Sequence, residues 1–556
     1  MPFVDSETAH WIPDPDAQPA LRELTICDLL DEAVASWPER DALVYRYPEA
    51  GLDLRWSFAE LGARVRDVAA ALIASEVQHG DRIAVWATNL PHSLLLQLGT
   101  AHIGAIYCPL NPLYREAEVA HVLGVAGATC HFVEPFNRGT SLWDAALAAA
   151  AQLPQLERHV ALGEAPDDRG TSWDTWLATG DHVSAEEIET RRRRVTPKDI
   201  HQLQFTSGTT GFSKGVALRH GAFCNQVRLM NDRADLDAGP RVNPMPFFHT
   251  AGCIMGNLSC IASGAANVPA LTFDPARIAA LIEAEQAHTL GAVPTMLLAI
   301  EECVDATGAE IGSLRRVISG GSLVPVELAR RWIERWDVRF SISYGLTENH
   351  PIITLSDPRD PLDLQVATCG IPLPHMEVDI VRPGSQERVA VGDEGELRTR
   401  GWSTMSGYWG DPAATREVLG EDGWLRTGDL GRMDGDGYFR VTGRSKEMII
   451  RGGENISPAA TEEAMRELDA VADVSVVGVP DERYGEECCA FVRLKPGASL
   501  SVEEMRERLG DSLARYKIPR YLVEVDELPT TPSGKIQKFK LRDRWIVEHR
   551  EEPAAR

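Results

Sequence analysis

The sequence lacks several features that would each have fixed its class. None of its ten cysteines forms a CxxC pair, and Cys488 and Cys489 sit side by side in the apolar run "CCAFV", so zinc-type spacing is absent. Scattered cysteines in a long chain are expected to stay reduced, as in the cytoplasm. The opening "MPFVDSETAHWIPDPDAQPA" has neither a basic n-region nor an apolar h-region, so no signal peptide is expected. No apolar run is long enough to span a bilayer. Positive charge is in the minority: 56 Lys and Arg stand against 82 Asp and Glu, a formal net charge of -26. That balance argues against non-specific binding to nucleic acid or anionic membrane, while leaving room for a local basic pocket for phosphate.

What is present is length and alternation. At 556 residues the chain is too long for one core, so two or more domains are expected. "DRIAVWA" has the pattern of a buried strand, "LPHSLLLQLGTAHIGA" of a helix, and "IYCPLNP" of a further strand. This order predicts a parallel, layered α/β sheet. The pattern resumes at "HQLQFTSGTTG" and runs through "AHTLGAVPTMLLAI" to "LRRVISGGSLVP". After residue 370 the texture becomes short alternating strands broken by glycine, as in "GELRTRGWSTMSGYWG", which predicts antiparallel β structure. A helix–strand unit restarts at "SPAATEEAMRELDAVADVSVVGVPD". The expected division is a large body over residues 1–443, of layered α/β subdomains plus a β-rich one, and a small mobile α+β domain over 444–556.

The densest chemical signal is "TSGTTGFSKG", Thr206 to Gly215. Its glycines let backbone N–H groups turn toward a ligand, its hydroxyls add donors, and Lys214 adds charge, which together suit polyphosphate. A flexible linker has the same composition, but would not be wedged between apolar "LQF" and "VAL". The Walker A pattern does not fit it. "SYGLTENH" brings an aromatic face, Tyr344, on which a nucleobase can stack, and a carboxylate, Glu348, whose hard oxygens suit Mg²⁺. Thr347 adds a hydroxyl beside it. An ordinary β-turn with a solvated glutamate is the competing reading of that motif alone. In "RTGDLG", Asp429 can accept hydrogen bonds from both ribose hydroxyls, or can form an Asx-turn on its own backbone. No Ser–Asp arrangement near His249 in "MPFFHTAGC" supports a hydrolytic triad.

These stretches, with "GWLRTGDLG", "GRSKEMIIRGGENISP" and "PSGKI", resemble in order and approximate spacing the motifs of the adenylate-forming superfamily: acyl-CoA synthetases, peptide-synthetase adenylation domains and luciferases. The resemblance covers nearly the whole chain. It implies that Thr206, Ser207, Gly208, Thr209, Thr210, Gly211 and Lys214 cradle the phosphates of ATP. It further implies that Gly321 and Ser322 in "ISGGSLVP", with Tyr344 and Gly345, line the adenine side, and that Thr347 and Glu348 serve phosphate and Mg²⁺. Asp429 and Arg444 would hold the ribose, and Lys446 would be the domain hinge, followed here by Glu447 where aspartate is frequent. His249 would line the carboxylate pocket, with Asn257 and Val293 as further pocket candidates. Asn349 and His350 fall where the family varies and are candidates for substrate or acceptor choice. Gly452 and Gly453 would leave room for pantetheine in a thiol tunnel.

The implied reaction joins a carboxylic acid to AMP with release of pyrophosphate, then transfers the acyl group to the thiol of coenzyme A. Lys535, directly after a turn glycine in "PTTPSGKIQKFK", is the cation expected at the reacting oxygens; Lys538 and Lys540 are expected to be solvated. The look of "QFTSGTTGFSKG" and "FFHTAGC" tilts the acid toward an aliphatic, fatty-acid type. The alternative acceptor is a carrier-protein thiol on a separate chain, or a non-thiol nucleophile. A non-catalytic nucleotide sensor would be expected to lack Lys535, Glu348 or Asp429, and all three are present. A homodimer is compatible with the sequence.

Overall fold

The computed structural model describes residues 3–549 except 5–6, 15, 17, 138, 157, 207–212, 445–446, 452–453, 457, 482–483, 511–512, 514 and 532–533. The alternation in the first half becomes two mainly parallel sheets. In the seven-stranded one, Arg82–Trp86 lies between Cys130–Val133 and Ile106–Leu110, all parallel. The helix Pro91–Ile103 links Arg82–Trp86 to Ile106–Leu110, with proline in its first turn and Gly104 at φ +72° closing its end. At one edge Ile200–Thr206 runs beside Ile106–Leu110 and turns back as Lys214–Arg219, with Thr206 registered against Lys214.

The nine-stranded sheet sets the site. Arg241–Asn243, Thr289–Gly291, Arg316–Gly320 and Arg339–Tyr344 are consecutive parallel neighbours in it. Their carboxyl ends therefore open on one side, where ligands bind in open α/β sheets. A six-stranded sheet, containing Glu377–Val381, Gly395–Arg400, Leu425–Met433 and Phe439–Arg444 as antiparallel neighbours, follows the glycine-rich change of texture.

Beyond Arg444 the chain enters another sheet. Ile449–Arg451, Gly485–Leu494, Val471–Asp481 and Tyr521–Glu524 form it with Glu454–Ile456. Its apolar clusters, one around Ile449, Val474 and Met505 and one around Val479, Phe491 and Trp545, include no residue before Ile449. A larger core belongs to the body. The architecture is a large body of layered sheets and helices plus a smaller C-terminal domain with its own core.

Candidate active site

The phosphate-loop motif is the connection of the Ile200–Thr206 and Lys214–Arg219 hairpin. Thr206 and Lys214 line the cleft between body and small domain. Ser207, Gly208, Thr209, Thr210 and Gly211 lie outside the described residues. Ser213, just past them, is anchored by Tyr114, whose hydroxyl lies 3.2 Å from its Oγ, and by His121 Nε2, 3.0 Å from its carbonyl. The Lys214 ammonium stands 4.9 Å from the centre of the Tyr408 ring, and Tyr408 donates its hydroxyl to Glu348 Oε1 at 2.8 Å. A chain of contacts thus runs from Lys214 through Tyr408 to Glu348.

Tyr344 ends its strand at the mouth of the cleft, and Gly345 follows because nothing else fits: a Cβ there would lie 2.0 Å from the Pro351 carbonyl oxygen. Thr347 and Glu348 occupy the next turn, Thr347–Asn349. The Tyr344 hydroxyl donates to Asp429 Oδ2 at 3.0 Å, and Arg444 Nε reaches Asp429 Oδ1 at 3.0 Å. Asp429 and Arg444 are register partners on adjacent strands, which is why "RTGDLG" and "GRSKE" meet. Burial raises the Asp429 carboxyl above its ordinary range, and the Arg444 charge opposes that shift. Gly321, at φ +78°, and Ser322 form the neighbouring turn after Arg316–Gly320 and line the same cleft.

Lys535 reaches this group from the other domain. A Cβ on Gly321 would lie 3.7 Å from Lys535 Cε, so the lysine stem passes directly over that turn. Its loop is self-braced: Thr531 N–H donates to the Lys535 carbonyl at 2.7 Å and Lys535 N–H to Thr531 Oγ1 at 3.0 Å. Gly534, at φ +79°, is pressed against the body, where an added Cβ would meet Val293 Cγ2 at 2.7 Å. Thr295 Oγ1 donates to the Gly534 carbonyl at 3.1 Å. Burial, then the Arg444 charge, lowers the Lys535 ammonium below the ordinary lysine range, with Asp429 and Glu348 acting against the shift.

On the other side of Lys535 lies a cavity of 110 Å³, walled by Met245, His249, Met255, Gly291, Val293 and Ile318 among others. Burial, reinforced by Lys535, pushes His249 down to about 3, so its ring is neutral near pH 7. Ala251 N–H donates to His249 Nδ1 at 3.2 Å, which leaves the ring proton on Nε2. The small residues after His249 have a steric reason: a Cβ on Gly252 would sit 2.2 Å from the Pro246 carbonyl oxygen. Ala251–Leu258 winds as a π-helix, a form often found at functional sites.

Residues 30–409 match the family described as AMP-binding enzyme, and residues 460–535 match the AMP-binding enzyme C-terminal domain. The chain belongs to the AMP-binding enzyme family. The Bacillus subtilis (strain 168) protein YngI, named as an acyl-CoA synthetase, is 38% identical over 94% of this chain and 97% of its own. The Mus musculus mitochondrial medium-chain acyl-CoA ligase ACSF2 is 33% identical over 93% of this chain and 87% of its own. ATP-bound MatB from Rhodopseudomonas palustris superposes with a TM-score of 0.82 at 26% identity, covering 94% of this chain and 99% of that one. Within the adenylate-forming superfamily, this AMP-binding enzyme is of the AMP-forming acid–CoA ligase type.

Several expected residues stand elsewhere than the sequence suggested. Asn257 of the AMP-binding enzyme does not line the cavity; it is buried behind it, accepting from Asn267 Nδ2 at 2.8 Å. Asn349 and His350 are fully buried and absent from the cleft wall. Asn349 Nδ2 donates to Ser403 Oγ at 2.6 Å and His350 Nε2 accepts from Arg219 N–H at 2.9 Å, so both pin the Glu348 turn to the scaffold. Lys538 is not a solvated bystander. Its Nζ lies 2.9 Å from Glu462 Oε1 and 3.3 Å from Glu447 Oε2, and these carboxylates outweigh burial to raise its pKa. Lys446, Gly452 and Gly453 lie outside the described residues. Sequence reasoning missed Tyr408 and Thr295, since "SGYWG" and "VPTML" carry no local chemical pattern; only the folded chain brings them to Glu348 and Gly534.

Proposed function

We propose that this enzyme activates an apolar, aliphatic carboxylic acid of medium length and passes it to coenzyme A. The observation that carries the reading is that Lys535 lines both the nucleotide-side cleft and the apolar cavity. A carboxylate seated in that cavity would present its oxygens to a lysine already facing the Asp429–Arg444 pair. The cavity's apolar wall and the medium-chain ligase among the relatives support the acid class.

In the first step a carboxylate oxygen attacks the α-phosphorus of ATP, the bond to the bridging oxygen breaks, and pyrophosphate departs with the electron pair. Such in-line displacement is governed by positioning and charge neutralisation. Lys535 supplies a point charge at the carboxylate and α-phosphate oxygens; Lys214 and residues 206–211 receive the departing phosphates. Asp429 and Arg444 hold the ribose, with the Tyr344 hydroxyl fixing the carboxylate of Asp429. Neutral His249 places an N–H at the acid's end of the cavity without adding charge. In the second step the CoA sulfur attacks the acyl carbon and AMP leaves.

Among the described residues no cluster of three or more His, Cys, Asp or Glu could hold a metal. One carboxylate suits Mg²⁺ where substrate phosphates and water fill the rest of its shell, and the Tyr408 hydroxyl donates to Oε1 of Glu348. Glu348, with Thr347 beside it, would hold Mg²⁺, which when bound neutralises phosphate charge. We assign residues 444–556 as the mobile domain and Lys446 as its hinge, supported by the separate cores on either side. Rotation would withdraw Lys535 and admit the thiol past Gly452 and Gly453, an established way to run two chemistries in one cleft.

CoA rather than a carrier-protein thiol is the proposed acceptor, and all the assigned residues come from one chain, so a homodimer is not required. The cytoplasm is the proposed compartment, supported by ten unpaired cysteines. No described helix is long and apolar enough to cross a membrane. ATP–pyrophosphate exchange across a panel of acids, with and without CoA, tests the reading; exchange without thioester would overturn the CoA assignment. Lys535→Ala is expected to lower exchange by about 10²–10³-fold or more, the scale of losing an electrostatic stabiliser. Thioester formation from a supplied acyl-adenylate should survive in that variant, and equal loss of both steps would overturn the role.

A further inference from the structure

Lys538 opens the last helix, Lys538–Glu548, where local structure disfavours a lysine. A cation at that end meets the positive pole of the helix dipole, and no acidic residue stands in the first turn to offset it. The side chain is also largely withdrawn from water, at 21% exposure. The reason for a lysine therefore lies outside the helix, in Glu462 and Glu447.

These two carboxylates come from different parts of the chain. Glu462 is buried on the helix Pro458–Arg466, and its Oε1 also accepts the Val476 N–H at 2.7 Å, which fixes it to the strand Val471–Asp481. Glu447 stands in the crossing segment, between Arg444, paired with Asp429 in the body, and Ile449, which begins the small domain's sheet. Lys538 itself lies at the foot of the Lys535 turn. That turn is closed by Gln537 N–H donating to the Pro529 carbonyl at 2.7 Å and by the pairing of Thr530 with Ile536. One ammonium thus joins the rigid part of the small domain, the segment that enters it and the turn that carries Lys535.

We infer that Lys538 is a positioning residue for Lys535: it ties the Lys535 turn to the segment about which the small domain would rotate. Docking of the domain then places the Lys535 ammonium, because the turn has no freedom to swing by itself. The inference rests on the two-step reading above and goes beyond it by adding a residue that acts through Lys535. An apolar residue at 538 could pack, but would leave two carboxylates, one of them buried, without the cation between them.

The test measures the two half-reactions separately in the full chain, with Tm recorded in parallel. Misplacement on the order of 1 Å costs about 10²-fold. Lys538→Met should therefore lower adenylate formation by about that factor, while thioester formation from supplied acyl-adenylate stays near wild type. Lys538→Arg, which stays charged and can reach both carboxylates, should recover most of the loss. In a Lys535→Ala background Lys538→Met should cost nothing further, since residues that act as a unit are not additive. Removing one partner of a buried pair is destabilising, so Glu447→Gln, which leaves the Lys538–Glu462 pair intact, decides the matter if Lys538→Met folds poorly. It should lower adenylate formation by about 2–10-fold with the same selectivity, the scale of one partly exposed charged contact. Wild-type adenylation in the folded variants would overturn this inference alone. So would a loss shared equally by both half-reactions, or one repeated in full without Lys535. Absence of adenylate formation by the wild-type enzyme with every acid would overturn the acid-activating reading, and this inference with it.

Discussion

Two turns face each other across the cleft, and they are held in opposite ways. The Thr347–Asn349 turn is bolted to the stretch 403–408: Met405 N–H donates to the Glu348 carbonyl at 2.8 Å, Tyr408 to its carboxylate at 2.8 Å, and Asn349 to Ser403 at 2.6 Å. Each partner is buried or half-buried, and unmaking such bonds would strand polar groups. The Lys535 turn, by contrast, is braced within its own domain by Thr531 and meets the body through the Thr295–Gly534 hydrogen bond and the close approach of Gly534 to Val293. A neutral hydrogen bond contributes about 0.5–1.5 kcal/mol net, little enough to be broken in every turnover. The difference fits the proposed two-step cycle, which asks for a fixed electrostatic platform and a preformed part that would dock and leave.

The comparison breaks most readily at Gly534. A side chain there faces both the +79° backbone angle and contacts of 2.7 Å to Val293 Cγ2 and 2.8 Å to Thr295 Oγ1. Gly534→Val should keep the small domain folded but hold Lys535 off the body by the order of 1 Å. Misplacement on that scale costs about 10²-fold. Adenylate formation should fall by about that factor, while thioester formation from supplied acyl-adenylate stays near wild type. Parallel loss in both half-reactions would mean that the loop belongs to the platform after all.

A smaller effect should appear in the pH profile. Burial and Arg444 lower the pKa of Lys535, so the ammonium loses its proton at lower pH than an ordinary lysine. In the role proposed for Lys535 the cation is the active form, so the adenylation rate should be full below this lowered pKa and fall as pH rises through it, by about tenfold per unit once past the midpoint. The alkaline limb should thus begin below the ordinary lysine range and be absent from the second half-reaction. Lys535→Arg should move the limb upward out of the accessible range, since guanidinium stays charged. A limb unchanged in that variant would assign it to another group.

How far this contrast was legible in the sequence depends on whether each signal is local. The fold class and ordered motifs were readable because strand periodicity, turn glycines and the hydroxyl-rich loop are properties of neighbouring residues. The meeting of Asp429 with Arg444 followed from two motifs whose strands pair. Asn257, Asn349, His350 and Lys538 were harder, because a polar residue's exposure is decided by segments far away. Lys538 needs Glu462 and Glu447 to be buried charged, and nothing in "KIQKFK" announces them. Tyr408 and Thr295 have no motif because their work is contact between parts of the chain.

Thr295 offers the finest cut between platform and docked part. Thr295→Val is nearly isosteric, keeps the packing against Gly534, and removes only the donor to its carbonyl. A loss of about 0.5–1.5 kcal/mol would lower adenylate formation by about 2–10-fold. Thioester formation should be unchanged or slightly faster, because the docked state is weakened without touching the thiol side. The two half-reactions measured separately on one preparation decide it. If Thr295→Val matched Gly534→Val in depth, docking would depend on the hydrogen bond rather than on fit. If it had no effect, the close approach of Gly534 to Val293 would by itself hold Lys535 in place.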